Sequence, residues 1–179
     1  MEKKQAKKED KSELLIWLDD YADLFSDFDP RPFSQRAMSF DFLSELRRAS
    51  RDKYKEISFG LLIPKDKRDM KKDNIVRKRL NEYFEKHYLR YKDETKGVLR
   101  KGLLFCIAGI ILMFIATYIL FKSPDKNLLM NFLIVLLEPA GWFLFWEGLN
   151  ISIFESRKKK PFLEFYKKMT DSRIHFSSY

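Results

Sequence analysis

With 179 residues and about fifty of them in two long apolar runs, the chain has room for one modest water-soluble domain and no more. The formal net charge of +9 is unevenly spread, with basic residues gathered beside the apolar runs. The lone Cys106 excludes an intrachain disulfide, so nothing argues for an oxidising compartment.

Residues 1–12, MEKKQAKKEDKS, hold no apolar stretch and no cleavage pattern. They read as a disordered charged tail, not a signal peptide, which leaves insertion to the first apolar run. From Glu13 the spacing predicts a helix: Leu14, Leu18, Tyr21, Phe25 and Phe28 recur at helical intervals, with Asp19, Asp20, Asp23 and Asp27 largely elsewhere. Pro30 and Pro32 end it. Asp23, Asp27 and Asp29 lack the alternation and glycine of a calcium loop, so no metal site is expected; Arg31, Arg36, Arg47 and Arg48 answer the acidic face.

A second helical region is expected from Phe33 to about Arg51, capped by Ser34 or Ser39, with Phe42, Leu43, Leu46 and Ala49 on its apolar side. Residues 56–64, EISFGLLIP, alternate as a strand that Pro64 stops. One strand cannot stand alone, and the best partner is the far end of the chain, where Ile174, Phe176 and Ser178 alternate with His175, Ser177 and Tyr179. Residues 69–99 form the longest soluble helix, with Val76, Leu80, Tyr83, Phe84, His87, Tyr88 and Tyr91 as its apolar stripe. Its near-balanced charge makes this a core helix and argues against nucleic acid. The helix runs toward the first apolar run, with Gly97 and Gly102 as bend points.

Residues 102–121 contain no charge, and 127–146 form a second apolar run extended as a helix to 154. About 20 residues at a 1.5 Å rise cross a hydrocarbon core of about 30 Å, so each run predicts a transmembrane helix, joined by an external loop at 122–126. Lys86, Arg90, Lys92, Lys96, Arg100 and Lys101 precede the first run, and Arg157, Lys158, Lys159, Lys160, Lys167 and Lys168 follow the second. Only Lys122 and Lys126 lie between, which places both termini in the cytosol.

Glu138 stands near the middle of the second run, where a charge costs about 2.5–3.5 kcal/mol on insertion scales. Pro139 and Gly141 after it predict a kink or local opening over 135–141. An antiparallel hairpin matches Glu138 in depth with Ile111, more than a turn from Cys106 and Thr117, and no base lies at that level. The carboxyl is therefore neutral in lipid, wet, or paired across a subunit interface. Gly102, Cys106, Gly109, Met113 and Ala116 make a stripe on the first helix. Asn131, Ile134, Glu138, Gly141, Phe145 and Gly148 make one on the second, and small-residue stripes mark helix contact.

The Leu137-Glu138-Pro139 step superficially resembles the pore motif of mitochondrial calcium uniporters, two-span subunits with a Glu-Pro in the second span. The family's acidic residue three positions earlier is Val135 here, and its Glu-Pro lies at the pore mouth whereas Glu138 is mid-span. The likeness covers about three residues and is treated as coincidence.

After the second run, Arg157, Lys158, Lys159 and Lys160 suit anionic lipid headgroups at about 1 kcal/mol per basic residue. Pro161 suits a helix start, with Phe162, Phe165, Tyr166 and Met169 as its buried side. No phosphate loop, Cys/His metal cluster or nucleophile elbow occurs, so neither an enzyme nor a cofactor is expected. His87 and His175 read as structural.

The expected architecture is a membrane α-helical hairpin of two transmembrane helices plus a small cytosolic α/β domain. That domain takes in residues 13–101 and 155–179, mostly helical with a minimal two-stranded sheet. The expected function is an integral membrane protein, in the cytoplasmic membrane if prokaryotic, carrying a cytosolic interaction or sensing module for a protein partner. It would self-associate as a homo-oligomer through the hairpin. The alternative is an oligomeric ion or proton pathway using Glu138, with Pro139, Gly141 and Asn131 beside it.

Overall fold

The computed structural model describes residues 12–51, 57–122 and 127–179. Residues 1–11 of the expected tail and most of the expected loop fall outside the described residues, and Ser12, expected to close the tail, begins the first strand instead. Two compact units divide the chain: Met1–Leu89 with Glu164–Tyr179, and Arg90–Leu163.

The first unit is organised by a three-stranded parallel sheet in the order β1-β2-β3: β1 (Ser12–Trp17), β2 (Ile57–Ile63) and β3 (Arg173–Ser178). The pairing of β2 with the C-terminal strand is as the alternation predicts, with Phe59 opposite Ile174 and Leu61 opposite Phe176. The sheet is larger than the two strands expected, because the segment read as a helix from Glu13 begins as β1, with Leu14 opposite Phe59 and Ile16 opposite Leu61.

Local chemistry stops a helix there. The Asp23 carboxylate accepts from the backbone N–H groups of Asp19 and Asp20 at 2.8 and 3.0 Å, and Asp20 Oδ1 accepts from Ala22 N–H at 3.1 Å. These side chains compete with helical bonding and leave one 3-10 turn, Tyr21–Leu24. Leu14, Leu18, Tyr21 and Phe25 are buried as the periodicity requires, but Phe28 is 97% exposed.

Helix α1 (Phe40–Ser50) starts seven residues later than the expected region. Ser39 is the cap, its hydroxyl accepting from Phe42 N–H at 3.4 Å. Phe33 lies outside the helix and stacks on Phe25 with ring centroids 5.1 Å apart. Asp29 holds Arg31 through 2.7 and 2.9 Å contacts and accepts from Ala37 N–H at 2.6 Å, which fixes the intervening turn. Arg31 above all, then Ala37 N–H, holds the Asp29 carboxyl well below the usual carboxylate range.

Helix α2 (Met70–Lys122) joins the expected soluble helix and the first apolar run, unbroken through Gly97 and Gly102. Its first turns pack Val76, Leu80 and Phe84 on the sheet face formed by Leu14, Phe59, Leu61, Ile63, Ile174 and Phe176. Helix α4 (Ser156–Asp171) adds Phe165, Tyr166 and Met169 to the buried side of this unit.

One buried polar cluster ties these elements together. The Tyr21 phenol donates to Asp73 and stands 3.1 Å from Asp69 O. Arg68 Nε donates to the other Asp73 oxygen at 3.2 Å, and its Nη2 donates to Phe176 O at 3.0 Å. Burial first, then the Asp73 contact, pushes the Tyr21 phenol up to about 12.

In the second unit the apolar half of α2 packs against α3 (Leu128–Asn150) as a hairpin. Both helices are long and apolar enough to cross a membrane. The α3 helix runs unbroken through Pro139, and the departure from α geometry comes later, in a π-helical turn at Ile151–Glu155 that leads into α4.

Candidate functional site in the helical hairpin

Glycine sets the spacing of the two helices. A Cβ on Gly109 would lie 2.6 Å from both Gly141 O and Phe145 N, and one on Gly148 would lie 2.6 Å from Cys106 N and Gly102 O. Backbones this close exclude any larger residue, so α2 and α3 meet where Gly102 and Gly109 face Gly148 and Gly141. Cys106 Sγ donates to Phe145 O at 3.6 Å in the same seam. Gly141, on the expected contact stripe of the second helix as well as beside Pro139, is buried and serves this contact.

Glu138 opens onto a 220 Å³ cavity between the helices, lined with Met113, Ala116, Thr117, Leu120, Ile134 and Trp142. It faces the turn from Met113 to Thr117 and not Ile111, which is 51% exposed. Thr117, expected more than a turn away, therefore shares the cavity. Its hydroxyl donates to Met113 O at 2.8 Å within its own helix. Among the described residues Glu138 has no hydrogen bond or ion pair, and Asn131 is exposed and does not line the cavity. Chemically, the cavity offers one carboxyl, one hydroxyl already engaged, and apolar walls.

The opposite end of the hairpin is held by charge. Glu94 accepts from Lys159 at 2.6 Å and from Arg90 at 2.9 Å, and these two cations, Lys159 first, lower its carboxyl from the usual value. Tyr91 stacks on Phe162 at 5.4 Å. Within the basic run, Lys158 pairs with Glu155 at 2.5 Å. Lys158 and Lys159, both assigned to headgroups, thus already hold a carboxylate.

Sequence reasoning missed Ser152, whose hydroxyl fills the space beside Gly102, although it continues the Gly141, Phe145, Gly148 spacing by one step. Glu147, near the end of the run, accepts from Asn150 at 3.3 Å.

In the sheet-containing unit a 400 Å³ cleft lies at the end of β1, with Trp17, Phe25 and Phe42 beside Asp27, Asp41 and Glu45. No group of three or more His, Cys, Asp or Glu side chains among the described residues is arranged to hold a metal. His87 Nδ1 donates to Tyr83 O at 2.8 Å, and its ring lies between Tyr83 and Tyr166. His175 Nε2 lies 3.1 Å from Glu13.

Comparison with protein-family models, with curated proteins and with solved structures returned no match.

Proposed function

We propose that the chain is a membrane-anchored adaptor: the hairpin crosses the bilayer, both ends lie in the cytosol, and the sheet-containing unit is the interaction module. One observation carries this reading. The inner faces of the hairpin are closed on each other through glycine, while its outer surface presents Leu103, Leu104, Phe114, Phe132 and Phe143, all more than half exposed. A continuous apolar surface of this kind is poorly tolerated in water and well matched to lipid. The basic residues flanking both runs set the side, and Arg157 to Lys160 meet anionic headgroups with part of their charge already matched. The small-residue stripes are spent within the hairpin, so self-association there would use its outer face.

Alkaline carbonate extraction and cysteine labelling test this directly. The chain stays in the membrane pellet, and Ser123→Cys in a Cys106→Ser background labels from outside intact cells. Release into the supernatant, or labelling only after permeabilisation, overturns the reading.

A second reading rests on the unpartnered Glu138 at its cavity: an oligomeric pathway for protons or cations. Glu138→Gln keeps volume and hydrogen bonding but cannot titrate. Purified wild-type chain in liposomes would then carry a flux that the variant loses, and vesicles no leakier than empty ones retire the pathway.

A further inference from the structure

Parallel sheets are nearly always covered on both faces, because their crossover helices lie there. Here, among the described residues, the buried helical side chains sit on one face of the sheet. The other face carries Glu13, Leu15 and Trp17 from β1, Ser58, Gly60 and Leu62 from β2, and Arg173, His175 and Ser177 from β3. Leu15 is 49% exposed and Trp17 65%, the latter against the Tyr179 ring at 4.4 Å. Gly60 makes a dent in the middle, over which the Leu15 and His175 side chains lean.

We propose that this open face is an interaction surface and that its occupant is the same face of a second copy of the chain. The argument is self-complementarity. The register places Glu13, Ser58 and Arg173 in one row across the sheet, Leu15, Gly60 and His175 in another, and Trp17, Leu62 and Ser177 in a third. A two-fold axis along β2 lays β1 of one copy over β3 of the other. Glu13, which lies 3.1 Å from His175 of its own sheet, then also faces Arg173 of the second copy, Leu15 faces the second copy's His175, and the bulky Trp17 faces its small Ser177. Each pair occurs twice, and Leu62 meets Leu62 near the axis. Charge and size both match under one operation, which a helix or an unrelated partner has no reason to satisfy.

The face is small. Three strands at about 4.8 Å and six residues at about 3.3 Å give roughly 14 by 20 Å. That lies well under the roughly 800 Å² per partner of a stable soluble dimer, so the contact needs copies held close together. Confinement to one membrane supplies that, and in this respect the inference rests on the anchoring reading above.

The full chain with Leu62→Cys in a Cys106→Ser background, reconstituted in liposomes, is treated with a bis-maleimide spanning about 10 Å, the separation of packed sheets. Crosslinked dimer exceeds that of the exposed α1 control Ser44→Cys by roughly fivefold or more, and falls as lipid dilutes the protein. Glu13→Arg lowers it, and Glu13→Arg with Arg173→Glu restores it, which a merely structural role for Glu13 does not predict. Crosslinking no better than the control overturns the proposal. So does a Leu62→Cys shielded from monofunctional maleimide at every dilution, since the chain itself then covers the face. Carbonate extraction of the same samples reads anchoring separately. If the chain is released, crosslinking at raised concentration in solution still decides whether the face pairs.

Discussion

Tyr21→Phe removes one oxygen from the cluster that joins the 3-10 turn, α2 and β3. Below about pH 10 the wild-type phenol keeps its proton and donates it to Asp73, which is only 4% exposed. Its value in the fold, about 12, lies above the 10.0 of a free tyrosine. The folded state therefore holds this proton more tightly than the unfolded chain. The resulting stabilisation is complete below pH 10 and is lost as pH climbs through 10 toward 12. Two pKa steps at about 1.4 kcal/mol each make the pH-dependent part roughly 3 kcal/mol, set first by burial of the phenol and then by its contact with Asp73; the hydrogen bond itself contributes about 1.5–3 kcal/mol. Urea unfolding in detergent micelles, with Trp142→Phe and Trp146→Phe in both proteins so that Trp17 alone reports, measures it. The difference between wild type and Tyr21→Phe is about 2–3 kcal/mol near pH 8 and shrinks below about 1 kcal/mol by pH 12. Changes common to both proteins cancel in that difference. A gap that stays constant across the range would refute a phenol held protonated beyond its ordinary value by burial and Asp73.

Glycines in the hairpin divide sharply by position. Gly148→Ala and Gly109→Ala push a methyl into backbone and destabilise the hairpin by about 1–3 kcal/mol each, read as loss of helical CD on heating in micelles. Gly97→Ala, with nothing within 4 Å, is neutral or gains up to about 1 kcal/mol in the same melt. Deleting 172–179 removes the strand beside β2, so amide exchange at Phe59 and Leu61 accelerates while the hairpin stays inserted; unchanged protection would count against the pairing. Lys159→Ala frees Glu94, and a carboxyl signal followed by NMR then moves toward the ordinary carboxylate range, with Arg90 retaining part of the effect.

The segment from Ser12 to Phe28 shows how periodicity can identify a core and misassign its backbone. Leu14, Leu18, Tyr21 and Phe25 are buried at helical intervals, yet β1 delivers Leu14, the residue just past its end is Leu18, and a 3-10 turn and its exit deliver the others. A continuous apolar run, Leu14 to Leu18, does not distinguish strand from helix by its pattern alone. The deciding partners, Phe59 and Leu61, lie more than forty residues away. The far-end pairing of β2 with β3 was legible because each strand alternates cleanly and Pro64 and Asp171 bound them.

The hairpin was legible for a different reason: its length and lack of charge are constraints on each helix by itself. The stripe containing Gly102 and Gly109 also pointed at its partner, because glycine at helical spacing matters only where another backbone approaches. What sequence could not give is the azimuth of each helix. Glu138 and Gly141 are three residues apart and share a stripe, yet Gly141 is buried in the seam while Glu138 is exposed at its edge, beside Thr117. A rotation of α3 by a fraction of a turn separates a contact residue from a cavity residue. That offset also decides the chemistry: a carboxyl at the seam would need a hydrogen-bond partner across it, whereas one at the edge is left open to its surroundings. The flux comparison between wild type and Glu138→Gln is thus a test of helix azimuth as much as of function, since only an edge position leaves the carboxyl anything to conduct.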